Sequence, residues 1–152
     1  MVDRRATQRM LWVSKAAVGM MGALGVQFLL GMYLNLFMSL PMHTTASMGP
    51  MGSMSGMMGM AGTSPLVMLH VLWGLGLVVG GFIFVVGAVA THRAPLVARS
   101  GVGLLAILVA GWAGLQFLMA GQHDAMSYTM AVGWLVAILA YLVIVREHPT
   151  LS

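Results

Sequence analysis

The chain has 152 residues, of which 60% are hydrophobic and only 7% are Asp, Glu, Lys or Arg. Because a soluble globular domain carries roughly 25% charged residues, this composition excludes a chain that covers itself with a polar surface. Cysteine is absent, which excludes disulfide bonds, thiolate metal ligands and a cysteine nucleophile. The composition therefore predicts an integral membrane protein.

Four apolar stretches are each long enough to cross the ~30 Å hydrocarbon core of a bilayer, which takes about 20 helical residues. They predict spans at residues 16–40, 65–90, 96–121 and 126–145, and therefore a single all-α domain built as a four-transmembrane-helix bundle. The first span follows basic residues, as the apolar core of a signal peptide does. Its apolar run is longer than the roughly 7–15 residues of such a core, so we expect the span to be retained.

The distribution of basic residues predicts the orientation of the bundle. Lys and Arg occur in the N-terminal tail, beside the connection between the second and third spans, and in the C-terminal tail. They are Arg4, Arg5, Arg9, Lys15, Arg93, Arg99 and Arg146. The connections at 41–64 and 121–125 contain neither residue type, so the positive-inside rule places both termini in the cytoplasm. Membrane orientation accounts for the excess of basic residues, so we expect no nucleic-acid binding. We expect a multi-pass protein in the lipid bilayer of a prokaryotic plasma membrane.

The connection between the first two spans has the most unusual composition. Residues 41–60, PMHTTASMGPMGSMSGMMGM, hold seven methionines, one histidine and no charged residue. Thioether sulfur is a soft donor that suits Cu(I) better than hard cations. The interleaved glycines and serines provide no core that these methionines would fill. The segment therefore predicts copper binding, with a membrane-adsorbed flap or a tolerant loop without function as the alternatives.

Polar side chains inside the spans are costly in hydrocarbon and usually face the bundle interior. In the first span, Gln27, Gly31 and Asn35 lie on one stripe of the helix. Counting from the helix ends places one polar side chain of each span in a common layer of the outer half: Asn35, His70, Gln116 and Tyr128. This layer either fixes helix register by hydrogen bonds, at roughly 0.6–2 kcal/mol each, or lines a site that opens to the outside. The inner half offers mainly Ser14, Ser100 and Tyr141 near its edge.

Histidine and methionine are concentrated on the outer side of the predicted bundle. The candidate metal ligands are His70, His43, His123, Met42, Met48, Met51, Met54, Met57, Met58, Met68, Met126 and Met130. For any single methionine within a span, packing is favoured over metal binding, because methionine commonly fills gaps in cores. Haem b is the competing cofactor, since four-helix bundles hold haem iron between two axial ligands on facing helices. His70 would be one axial ligand, and His123 or Met130 the other.

Glycine is patterned in the spans, as in Gly76-x-x-x-Gly80 and Gly133-x-x-x-Ala137. Small residues at this spacing let helix backbones approach closely. The pattern predicts tight packing within the bundle, with a dimer face as the alternative.

Two resemblances add to this interpretation. The MGPM and MGSM spacings in the outer loop, and QHDAMSYTM at 122–130, are similar to the Mets motifs of Ctr-type copper transporters. Those transporters have three spans with an MxxxM in the second, whereas the second span here has only Met68, so the resemblance implies copper binding without the transporter architecture. The segments VQFLLGMYLNLF (26–37), LHVLWGLGLVVG (69–80) and GWAGLQFL (111–118) resemble a family of small uncharacterised bacterial four-helix integral membrane proteins. That resemblance implies an Asn in the first span and a His in the second, here Asn35 and His70, and it supplies no activity.

The sequence contains no Ser–His–Asp set inside the membrane, no paired carboxylates and no glycine-rich phosphate loop after a strand. We therefore expect no catalysis by side chains. The function predicted is binding of a soft metal, Cu(I), at the extracytoplasmic face for handling or delivery. The alternatives are a haem-binding bundle and a non-catalytic accessory subunit of a respiratory membrane complex. A homo-oligomer and a larger membrane complex are both open as assemblies of the chain.

Overall fold

A computed structural model describes residues 4–37, 64–120 and 124–147. These residues form four α-helices, which are α1 (Arg4–Phe37), α2 (Pro65–Val89), α3 (Ala94–Ala120) and α4 (Asp124–Glu147). By length and apolar composition, all four can cross a bilayer. The prediction of an all-α bundle with four membrane-length helices is thus confirmed, and the orientation of its termini stays a prediction.

The start of α2 follows from its local sequence. Ser64 is extended, with φ −151° and ψ 117°, and its carbonyl accepts the backbone N–H groups of Val67 and Met68. Pro65 is the first helical residue, where its fixed φ is suited to a helix and its missing N–H is not needed. The helix therefore begins one residue after the Met-rich connection predicted at 41–64.

The turn between α2 and α3 closes with a residue in the left-handed region. The hydroxyl of Thr91 donates to the Ala88 carbonyl at 2.7 Å, and the backbone N–H of His92 donates to the Val89 carbonyl. His92 has φ 55°, a conformation that glycine usually supplies after a helix. This compact turn makes α2 and α3 antiparallel neighbours.

The helices form a closed ring in chain order. Each helix packs against the next one along the chain, and α4 packs against α1. Among the described residues the backbones do not approach closely across either diagonal, although Phe84 of α2 and Tyr141 of α4 meet across the centre. We call the end that contains Phe37, Pro65 and Asp124 the distal end, and the end that contains Val89 and Ala94 the terminal end. The connections at the distal end are those predicted to lie outside the cytoplasm.

The most completely buried core lies in the terminal half of the bundle. Phe84 stacks on Trp12 at 6.3 Å between ring centroids and meets Tyr141 edge-on at 5.3 Å. Polar groups are buried with them, because Ser14, Ser100 and Tyr141 each expose 1% or less of their surface. The residues that seemed from sequence to lie near the edge of the inner half are therefore core residues.

Glycine allows the closest helix contacts. A β-carbon placed on Gly133 would lie 2.9 Å from the Ala106 carbonyl oxygen and 3.0 Å from Ala110 Cβ, so α3 and α4 meet at van der Waals distance there. Gly80 faces Met20 of α1, whereas a β-carbon on Gly76 would meet nothing within 4 Å. Gly133-x-x-x-Ala137 is thus an internal packing motif. In Gly76-x-x-x-Gly80, only Gly80 lies at a helix contact, and Gly76 faces open space.

Candidate ligand site between helices α1 and α2

The intramembrane histidine lies at the interface of α1 and α2. His70 is five residues after Pro65, about 7.5 Å along the axis of α2 from the distal end. Its ring is partly buried and packs on Gly31 of α1, where a β-carbon would lie only 3.1 Å from His70 Cε1. The absence of a side chain at Gly31 therefore makes the space for the imidazole.

Gln27 is accommodated in the same way as His70, with the roles of the two helices exchanged. Gln27 of α1 lies over Gly74 of α2, where a β-carbon would be 3.1 Å from Gln27 Nε2. Gln27 and Gly31 are four residues apart on α1, as His70 and Gly74 are on α2, so each pair shares one helix face. Because the two helices run antiparallel, each polar side chain meets the glycine of the other helix. The two segments, QFLLG and HVLWG, form one interlocked unit.

One hydrogen bond joins the two polar side chains. Gln27 Nε2 lies 3.2 Å from His70 Nε2. The two remaining polar atoms, Gln27 Oε1 and His70 Nδ1, are buried and have no hydrogen-bond partner. An unpaired polar atom in an apolar interior costs roughly 1–3 kcal/mol, so the pair is only half satisfied.

The chemistry available to this pair is that of a ligand. Neutral imidazole binds metals through either ring nitrogen, and the hydrogen bond at the other nitrogen decides which one is free. A bound group that pairs with Nδ1 would remove the free-energy cost of the unpaired atom. The interface therefore contains two polar side chains, each with one buried atom that lacks a hydrogen-bond partner.

The other members of the predicted polar layer are not joined to His70 by hydrogen bonds. Within the described ranges, the hydrogen-bond partner of His70 is Gln27. Asn35 is exposed on the surface of α1, and Gln116 is partly buried on α3. Tyr128 exposes 73% of its surface beside an open apolar groove between α3 and α4. In the described residues, His70 is thus joined by a hydrogen bond to Gln27 and not to the other three members of the layer.

The predicted metal ligands are placed as follows. Met68 is 48% exposed, and its position two residues before His70 puts it on another face of α2. Met126 and Met130 are partly buried on α4, and Met130 Sδ would lie 3.3 Å from a β-carbon on Gly114 of α3. Packing thus accounts for Met130. The remaining candidates lie outside the described residues: His43, His123, Met42, Met48, Met51, Met54, Met57 and Met58.

The described parts of the chain contain no group of three or more His, Asp or Glu side chains that would hold a metal. A haem iron bound to His70 would need a second axial ligand on a facing helix. The part of α1 that faces His70 presents Gln27 and Gly31, and neither is an axial ligand. Met130, one of the two partners predicted for it, packs at the interface of α3 and α4 instead.

The sequence pattern places Gln27 on a stripe of α1 but does not identify it as the partner of His70. The signal that would have found it is the repeated spacing of a polar residue four positions before a glycine, at Gln27 and Gly31 and again at His70 and Gly74. Because the pairing joins positions 43 residues apart, this spacing has to be compared between the two helices and is not visible within either one alone.

No protein-family model, curated protein or solved structure matches the chain. The resemblances to Ctr-type Mets motifs and to small bacterial four-helix membrane proteins therefore stay predictions, and the conclusion supported without them is a bundle of four membrane-length apolar helices.

Proposed function

We propose that this protein binds a soft metal ion, Cu(I), at the distal end of its bundle, outside the cytoplasm of a prokaryotic cell, for copper handling or delivery. The observation that carries the proposal is the partly buried His70 imidazole, whose buried Nδ1 has no hydrogen-bond partner. Coordination would give this nitrogen a partner within the membrane. The polar pair with Gln27 would orient the ring for it.

The soft character of the metal is argued from the donors that the chain offers. The connection from α1 to α2 contains seven methionines within 41–60, and this segment joins the two helices that hold Gln27 and His70. Thioether and imidazole are ligands for Cu(I), whereas hard cations require oxygen donors. The chain has only three acidic residues. Of these, Glu147 pairs with Arg99 at the terminal end, and Asp124 is exposed at the start of α4.

The proposal is tested with the full-length protein, purified in detergent and titrated with Cu(I) under anaerobic reducing conditions against a chromophoric chelator. We expect one tightly bound copper ion per chain and a loss of affinity of at least tenfold for His70→Ala. His92→Ala is the matched control, because His92 is an exposed histidine in the turn at the terminal end. It should bind copper like the wild type.

The same preparation distinguishes the alternatives. A Soret band in the visible spectrum of the protein as purified would show bound haem and would favour the haem alternative over copper. If neither copper nor haem binds stoichiometrically, the proposal fails and the accessory-subunit alternative becomes the better one. Equal copper affinity in wild type and His70→Ala would remove His70 from the site.

A further inference from the structure

We infer that Gln27 is a positioning residue that fixes the tautomer of His70, accepting the Nε2–H through its Oε1 and leaving the Nδ1 lone pair free to bind a ligand. The role of Nδ1 toward Cu(I) rests on the proposed function. The tautomer itself is a property of the protein without metal, and it is measured separately.

Two arrangements are consistent with the contact between the amide and the ring. In the first, the Gln27 amide N–H donates to His70 Nε2, and the ring proton sits on Nδ1. In the second, the amide is turned by 180°, its Oε1 accepts the Nε2–H, and Nδ1 carries no proton. The two amide orientations occupy the same volume, so hydrogen bonding decides between them.

The first arrangement leaves two buried groups unpaired. Nδ1 would carry an N–H with no acceptor in reach, and Gln27 Oε1 would have no donor. Within a helix interface this oxygen will not find a backbone donor, because every mid-helix N–H is already bonded to a carbonyl. A buried carbonyl oxygen without a donor and a buried N–H without an acceptor both raise the free energy of the folded state.

The second arrangement suits a helix interface better. Each backbone carbonyl in a helix keeps a second lone pair, so such an interface offers acceptors for an amide N–H but no free backbone donor for an amide oxygen. Helix α1 already uses this property, since Trp73 Nε1 donates to the Ala23 carbonyl at 2.9 Å, one turn before Gln27. In this arrangement Nδ1 carries no proton. The ring atom that remains without a hydrogen-bond partner is therefore an acceptor with a free lone pair.

This arrangement also has the chemistry of a metal ligand. Histidines that bind metals generally donate their other ring N–H to an oxygen, which fixes the tautomer and raises the basicity of the ligating nitrogen. Gln27 Oε1 supplies that oxygen from the facing helix. Gly31 and Gly74 leave the space that the two side chains occupy between the helices, so the pair is assembled before a ligand arrives.

The first experiment measures the tautomer in the full-length protein with ¹⁵N-labelled histidine, without metal and in detergent or lipid. The His70 signals are assigned by their disappearance in His70→Asn. We expect the ring proton on Nε2 in the wild type. In Gln27→Leu, which removes both polar atoms, the two tautomers should become mixed. Gln116→Leu is the matched control, because Gln116 is a partly buried glutamine on α3, whereas the hydrogen bond to His70 comes from Gln27.

The second experiment compares Cu(I) affinity. Loss of an oriented partner of a metal-bound histidine typically costs 10–100-fold in affinity, which is the loss we expect for Gln27→Leu. Gln27→Glu retains an oxygen acceptor and should hold the proton on Nε2. A proton on Nδ1 in the wild type overturns the inference, as does an unchanged tautomer in Gln27→Leu. If the tautomer behaves as expected and no copper binds, Gln27 keeps its positioning role and the proposed function alone fails.

Discussion

The indole of Trp134 on α4 donates from Nε1 to the carbonyl oxygen of Leu24 on α1, at 2.9 Å. The indole of Trp73 on α2 makes the same bond, also at 2.9 Å, to the adjacent carbonyl of Ala23. Two tryptophans from the two neighbours of α1 thus hold successive residues of that helix. Each bond ties a side chain to the backbone, so it fixes the height of one helix against the other.

Trp134→Phe should lower the free energy of unfolding by about 0.5–1.5 kcal/mol, because it removes one hydrogen bond and keeps an aromatic ring. That ring can retain the stacking on Phe28, which has a centroid distance of 4.4 Å. Unfolding in mixed detergent micelles, followed by circular dichroism, measures the change. Trp112→Phe is the control, since Trp112 is 55% exposed on α3. Equal losses for the two variants would show that the bond to Leu24 contributes nothing.

Gly133→Ala should destabilise the bundle by about 1–3 kcal/mol, because its new methyl group would overlap the Ala106 carbonyl and Ala110 and push α3 away from α4. Gly111→Ala provides the comparison. A β-carbon at Gly111 meets nothing within 4 Å, so this variant should gain up to about 1 kcal/mol from higher helix propensity. The same unfolding assay reads both variants. Similar stability in the two would contradict the close contact between α3 and α4.

Tyr141→Phe should leave the stability unchanged or raise it, by up to about 1–3 kcal/mol, since the Tyr141 hydroxyl is buried without a hydrogen-bond partner. The ring would still meet Phe84 edge-on and fill the space beside Gly103. Tyr33→Phe, at an exposed tyrosine of α1, should change the stability by less than about 0.5 kcal/mol. A loss of more than about 1 kcal/mol in Tyr141→Phe would show that an ordered water molecule satisfies the hydroxyl.

Replacing the six loop methionines from Met48 onward by leucine should reduce Cu(I) affinity and leave the helical content unchanged. The replaced residues are Met48, Met51, Met54, Met57, Met58 and Met60. Leucine keeps the apolar character and removes the soft sulfur donor. Met20, Met21 and Met32, replaced together by leucine within α1, form the control and should leave the affinity unchanged. Unchanged affinity after the loop substitutions would limit the metal site to the helices.

The absence of cysteine makes the orientation testable by single-cysteine labelling. Ser55→Cys in the loop and Thr91→Cys in the turn between α2 and α3 should respond oppositely to an impermeant maleimide applied to intact cells. The positive-inside rule predicts that Ser55→Cys is labelled from outside and Thr91→Cys only after permeabilisation. The reverse pattern would place the Met-rich loop in the cytoplasm and would move the proposed copper site there with it.

The sequence predicts the helices well because each one is an uninterrupted apolar run. The second span, expected at 65–90, is found at Pro65–Val89, and the third and fourth differ by a few residues at either end. The first helix begins at Arg4, ahead of the predicted span at residue 16, because helix formation continues beyond the apolar residues. Hydropathy locates membrane crossings, and it does not report where a helix starts in the polar region.

The sequence does not predict which polar side chains meet in the site, because this depends on how each helix is rotated about its axis. Counting along a helix gives the depth of Asn35 or Tyr128, but the rotation of the helix decides which neighbour a side chain faces. Rotation is set by the glycine contacts, such as those at Gly31 and Gly74, which depend on a partner far away in the chain. The stripe of α1 that contains Gln27 and Gly31 faces α2 there, while Asn35 is exposed.

The ring order of the helices also bears on how the chain assembles during synthesis. Three interfaces, α1 with α2, α2 with α3 and α3 with α4, join consecutive helices and can form as each helix enters the membrane. The interface of α1 with α4 must wait for the last helix. Until then Leu24 lacks the indole of Trp134, and one flank of α1 remains turned toward lipid or the insertion machinery. Closure of the ring is therefore the step at which a nascent chain becomes a finished bundle.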